Sequence, residues 1–276
     1  MALNSINTNA SAMLALTNLM NTQNALASTQ NIISTGKKIN SAKDNGAVWS
    51  IANTMQGKVD ALDSVTDSLN RAQSTIDVAM SAGEQVSDLL TQMKAKALAA
   101  SDSSLDTTSR TALNEDFKSL RDQIANVVTN ADFNGINMVK SGGTTIYALA
   151  NDTGSSKLTV LAQDLSLGGT NVGVSAAASF SSAATASAFI TTIDTSLTAV
   201  NTALTKLGTG SNALASHEKF VGALQSSLTS GISNLVDANM ASESAQLQAL
   251  QTKQQLGVQA LSIANQSTGI LLSLFR

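Results

Sequence analysis

The residues able to do acid, base or ligand chemistry are few, and their spacing argues against it. His217 is the single histidine and cysteine is absent, so neither a metal cluster nor a thiol nucleophile can be built around it. It falls between Leu214 and Val221 of a seven-residue repeat, where it reads as a polar residue on a helix surface. Asp60, Asp63 and Asp67 follow helical spacing and read as a solvated face. Gly208-Thr-Gly210 lacks the third glycine and the strand-to-helix setting of a dinucleotide fingerprint, and no phosphate loop is present. Trp49, beside Val48, reads as a packing anchor. These residues predict a protein that is not an enzyme and needs no cofactor or metal.

What the sequence does contain is helix. Proline, which breaks a helix interior, is absent from all 276 residues, and charged residues make up only 13%. The net charge of -3 offers no reason for a nucleic-acid partner. No apolar run suits a membrane span, and the start of the chain has no basic, apolar signal-peptide pattern. The expectation is a chain without membrane insertion that stays inside the cell or leaves by a route reading no cleavable signal.

Residues 4 to 34 form the first expected helix, without a single charge. Leu16, Leu19, Leu26 and Ile33 share one seam; Ile6, Ala10, Met13 and Met20 share another. After the loop from Gly36 to Gly46, Val48, Met55, Leu62, Leu69, Ile76, Gly83, Leu90 and Ala97 recur every seven residues. Ile51, Lys58, Val65, Ala72, Ala79, Val86 and Met93 stand three places after the first seven of these, which predicts a coiled-coil helix of about 75 Å. Ser101 to Thr108 supplies caps, and a shorter helix follows from Ser109 to Asn130, with Leu113, Phe117, Leu120, Ile124 and Val127 inward. Between Lys140 and Phe180 the composition turns to Gly, Ser and Thr, and three short alternating runs predict a cap of two small hairpins. Helix resumes near Ala183, with Ile193, Val200, Leu207, Leu214, Val221, Leu228 and Leu235 spaced by seven.

The last helix has apolar residues on too many sides. Leu256, Ala260, Ile263, Ser267, Ile270 and Leu274 make one seam; Leu247, Leu250, Leu261, Ala264 and Leu271 make a second; Phe275 closes the chain before Arg276. The first seam is expected to meet residues 4 to 34 and the second to meet other copies, so the chain is expected to polymerise. The expected fold is mainly α: an elongated rod of long antiparallel coiled-coil helices from both halves of the chain, with a small β insert at the tip. Its expected divisions are a terminal coiled coil (1–40 with 237–276), a helical rod (41–140 with 181–236) and the insert (141–180).

Several stretches also resemble bacterial flagellin: Ile6-Asn-Thr-Asn9, Ile39-Asn-Ser-Ala-Lys-Asp-Asn-Gly46, Phe133-Asn-Gly135, and Asn239 to Arg276 with its Leu-Ser-Leu-Phe-Arg ending. The resemblance covers roughly residues 1 to 140 and 185 to 276, and the small insert is similar to that of alphaproteobacterial flagellins. It implies a subunit of the extracellular flagellar filament, polymerised with itself and with paralogous flagellins. It also implies passage through the type III export apparatus, an export chaperone, and contact with the filament cap and hook–filament junction proteins. O-linked sugars in such proteins make Thr144, Thr145, Thr153, Ser155 and Ser156 candidate acceptors. Gln92 and Ala95-Lys96 depart from the segment that the mammalian flagellin receptor reads, implying weak activation. Two alternatives remain open, a hook–filament junction protein and a cytoplasmic coiled-coil scaffold.

Overall fold

A computed structural model describes residues 8–273, and their side chains as far as 266. Helix α1 spans Ala10–Thr35, α2 Ala42–Ala100, α3 Thr107–Asn130, α4 Ala183–Val236 and α5 Met240–Ser273; strands β1 (Ile146–Leu149) and β2 (Lys157–Val160) form an antiparallel hairpin. The chain divides into two compact units, Met1–Gly57 with Ser227–Arg276 and Lys58–Ser226.

In the first unit, α1 starts where Asn9 Oδ1 accepts a hydrogen bond from the Ala12 amide at 2.9 Å, replacing a partner that a first-turn amide lacks. It stops at Gly36, whose φ of 70° is the left-handed cap geometry that glycine adopts without strain. The segment after α1 and the short link before α5 then clasp each other. Lys38 N donates to Val236 O at 2.8 Å, and Ala238 N donates to Gly36 O at 2.9 Å. The expected loop to Gly46 is shorter than the sequence suggests, because one helical turn forms from Ala42. That turn breaks at Asn45, with φ -161° and ψ 101°, and Asn45 Oδ1 accepts from Val48 N to cap the helix that continues. Asp44 Oδ2 accepts from the amides of Asn40 and Ser41, which holds its carboxyl below the usual range. The buried stripe of α2 also begins differently: Ala52 is buried while Ile51 is exposed. Trp49 lines a small cavity of about 130 Å³ with Ile39, Ala52, Ile232 and Val236.

The second unit follows the heptads closely. Leu62, Val65, Leu69, Ala72, Ile76, Ala79, Val86, Leu90, Met93 and Ala97 of α2 are buried, as are Ile193, Val200, Leu207, Leu214 and Val221 of α4. The two helices run antiparallel in a steady register. Lys94 pairs with Asp194 at 2.6 Å, and Gln225 Nε2 donates to Asp63 Oδ1 at 2.8 Å. Gly83 lies so near Leu204 that a Cβ there would be 2.6 Å from Leu204 Cδ2. Helix α3 adds Phe117, Leu120, Ile124 and Val128 to the core, with Phe117 against Phe180 and Phe189 at centroid separations of 5.1 and 5.3 Å. Its start is capped by Asp106, and Arg110 reaches back to the carbonyls of Ala100, Asp102 and Leu105.

The β segment corrects an expectation. One hairpin forms among the described residues, pairing Ile146 with Val160, and the third alternating run contributes only an isolated bridge between Leu167 and Val172. That run instead anchors to α4, where Gly173 N donates to Ser196 Oγ at 3.0 Å. The Asn134–Gly135 turn has the positive φ values, 52° and 81°, that its residue types favour.

Candidate assembly interface

Helices α1 and α5 pack antiparallel: Asn9 Nδ2 donates to Ala264 O at 2.8 Å, and Leu19 covers Gly257. On α1 the residues turned away from water include Ala12, Ala15, Leu19, Thr22, Leu26, Thr29 and Ile33, spaced by threes and fours, with Ala25 and Ile32 beside them. On α5 they are Glu243, Leu247, Leu250, Gln254, Gly257, Leu261 and Ala264. Both sets follow the seam of an antiparallel coiled coil.

This arrangement reverses the roles expected for the two seams of α5. Leu247, Leu250, Leu261 and Ala264 face α1, whereas Leu256 and Ile263, the seam assigned to that task from sequence, are 59% and 68% exposed. The reason is local: Gly257 and Ala264 are the small residues that let α1 come close, and both lie on the Leu250 side of the helix. The α1 seam is likewise mixed. Leu19 is buried and Leu26 and Ile33 are half-buried, but Leu16 and Met13 are exposed. Backbone alone is described for Ile270 and Leu271, and Ile6, Leu274 and Phe275 lie outside the described residues.

The uncovered apolar side chains lie on both flanks of the helix pair. Leu14, Ala15, Leu256, Gly257, Ala260 and Ile263 line an open apolar groove of about 700 Å³ between the two helices. Met13, Leu16 and Met20 form a separate exposed stripe on the other flank of α1, and Val258 is exposed on the other flank of α5. Leu14 and Val258 were missed from sequence because each sits one place beyond a heptad position; a wider apolar arc was the available signal. Lone exposed leucines are ordinary, but a mainly apolar groove, here with Ser11 and Asn18 as its polar lining residues, marks an interaction site. Charge gives it no alternative use, since α1 has no charged residue and α5 has only Glu243 and Lys253.

No metal-binding group of three or more His, Cys, Asp or Glu occurs among the described residues, and no described helix is long and apolar enough to cross a membrane. His217 is not a free surface residue. Its Nε2 lies 2.8 Å from Ala150 O, which requires that nitrogen to donate, and its ring is 5.8 Å from that of Phe220. It ties α4 to the loop after β1. Gly210 has a similar structural purpose, since a Cβ there would stand 2.7 Å from Val160 Cγ1.

Models of two protein regions match most of the chain: the bacterial flagellin N-terminal helical region over residues 6–144, and the bacterial flagellin C-terminal helical region over residues 190–275. The chain belongs to the bacterial flagellins. This flagellin is 55% identical over 276 residues to flagellin FljM of Caulobacter vibrioides, with all of both chains covered, and 55% identical to flagellin FljK of the same organism, also over the full length of both. It is 37% identical to a flagellin of Brucella melitensis, covering 99% of each chain. It is therefore an alphaproteobacterial-type flagellin and a structural subunit of the extracellular flagellar filament used in swimming. Its likeness to several flagellins of one organism supports assembly with copies of itself or with paralogous flagellins.

Proposed function

We propose that this flagellin joins the filament through the uncovered faces of α1 and α5. Met13, Leu16, Leu256 and Ile263 make contacts between subunits, and Ile6, Ile270, Leu271, Leu274 and Phe275 are assigned to the same task from their sequence pattern. Leu19, Leu26, Ile33, Leu247, Leu250 and Leu261 hold the two helices together so that the surface exists. The observation that carries this reading is the apolar groove between α1 and α5. Burial of apolar area contributes roughly 25 cal/mol per Å², so a groove repeated at several neighbours sums to a stable polymer. In this scheme residues 1–40 and 237–276 are the assembly part, 41–140 and 181–236 the helical rod and 141–180 the outward insert. The role is structural, without catalysis or cofactor.

The same groove is what an export chaperone has to shield before assembly. Passage through the type III apparatus, addition beneath the cap and contact with hook–filament junction proteins complete the scheme. Thr144, Thr153, Ser155 and Ser156 are exposed and Thr145 is half-buried, which supports the first four better as sugar acceptors; the intact mass of filament protein tests them. The interface itself is tested by Leu256→Asp and Ile263→Asp. Because both side chains are exposed in the lone chain, the variants fold normally, yet electron microscopy of concentrated protein shows no filaments. Filaments of ordinary length from both would overturn the reading.

A further inference from the structure

The methionines divide sharply by exposure. Met93 and Met138 are 0% and 1% exposed, in the second unit, and Met55 and Met80 are half-buried. Met13, Met20 and Met240 are 61%, 55% and 41% exposed, and all three belong to α1 or α5. Met13 and Met20 stand seven residues apart, on the side of α1 that α5 leaves open. With no cysteine in the chain, these thioethers are its most accessible oxidisable sulfurs among the described residues.

We propose that Met13 and Met20 form a peroxide-sensitive modification site that decides whether a free subunit can be added. The inference rests on the reading that the open face of α1 is an assembly contact. A hydroperoxide transfers one oxygen to the thioether sulfur. The O–O bond breaks, an S=O bond forms, the sulfur loses two electrons, and the second oxygen leaves as water or alcohol. The product is a polar sulfoxide, a strong hydrogen-bond acceptor in place of a soft apolar side chain. On α1 it stands on a helix with no charged residue, and the apolar Leu16 lies between the two methionines, three places from Met13 and four from Met20. An unpaired acceptor buried there opposes docking. The buried Met93 and Met138 keep the fold intact under the same treatment, so oxidation removes assembly while sparing the helices. Once the face is covered, the sulfurs are shielded from the oxidant.

The test treats intact monomer with hydrogen peroxide, maps sulfoxide by peptide mass spectrometry, and then follows polymerisation by light scattering and microscopy. The expected result is Met13 and Met20 oxidised at least tenfold faster than Met93 or Met138, helical circular dichroism retained, and elongation lost. Filaments treated in the same way should show both sites protected at least tenfold. A Met13→Leu, Met20→Leu variant, which keeps apolar volume and cannot be oxidised there, should polymerise after peroxide treatment. Normal polymerisation of wild-type monomer carrying both sulfoxides would overturn the proposal, as would equal loss in the double-leucine variant. Met13→Asp separates the two levels: if that variant polymerises normally, the assembly reading of this face fails first, whatever peroxide does.

Discussion

Leu19 lies directly over Gly257. A Cβ built on the glycine would come within 3.2 Å of Leu19 Cδ1, so the separation of α1 and α5 is set by a side chain resting on a bare backbone. Glycine inside a helix costs about 1 kcal/mol relative to alanine, and this one stands where the helices meet. Gly257→Ala is expected to be close to neutral, because the leucine tip can yield a few tenths of an ångström while the helix gains propensity. Gly257→Leu forces the helices apart and abolishes filament formation, read by microscopy.

Gly210 differs in having a stiff neighbour. The Val160 methyls that a Cβ would meet belong to a β-branched residue with little rotamer freedom. Gly210→Ala is expected to destabilise the second unit by about 1–3 kcal/mol, since overpacking there shifts β2 from α4. Thermal or urea unfolding, monitored in the monomer, measures it.

Acid should loosen the start of α3. The Ser109 hydroxyl and then the Ser109 amide donate to the Asp106 carboxylate and hold its pKa below the ordinary carboxylate value. A depressed folded pKa means that the cap's contribution is full above the unfolded value, near 4, and is lost as pH falls through the lower folded value. Protection of the Ser109 amide, taken relative to its intrinsic exchange rate at each pH, is expected to fall on acidification below about pH 4. Asp106→Asn, which keeps an acceptor without the titrating group, should flatten that dependence.

Truncation of either terminal helix removes half of the α1 and α5 seam. Chains lacking residues 1–34 or 240–276 are expected to keep the helicity of the second unit and to form no filaments. Filaments from both truncations, seen by negative stain, would contradict the role given to these helices.

The segment resembling the receptor-read region of flagellins presents Gln92 and Ala95 on an exposed face of α2, with the Lys96 ammonium paired to Asp116 at 2.7 Å. Purified monomer is expected to activate the mammalian flagellin receptor weakly. A reporter-cell titration checks this, and strong signalling would refute it.

The heptads of the second unit could be read almost residue by residue, because Leu62 to Ala97 and Ile193 to Val221 each serve one core. Period alone suffices when a helix has a single buried stripe. Helices α1 and α5 have two stripes each, and there periodicity identified the excess without saying which stripe meets which partner. That choice depended on Gly257 and Ala264, whose lack of bulk carries no weight in an apolar count. The insert was less legible for a different reason. Alternation in Gly168 to Ser175 looked like a strand, but its backbone partners lie on a distant helix and in neighbouring turns. His217 and Gly210 read as incidental because the hairpin contacts that occupy them join segments far apart in sequence.

The bond from Asn9 to Ala264 closes a span of 255 residues. Local helices need no such closure, and the heptad pairing of the second unit closes a shorter span, 162 residues between Asp63 and Gln225, while the pairing of α1 with α5 waits until both ends of the chain are present. The apolar groove between those helices is thus the last surface to exist. A chain delivered end first stays unable to bind its own kind through that groove until delivery is complete, which places a clock on polymerisation inside the topology itself.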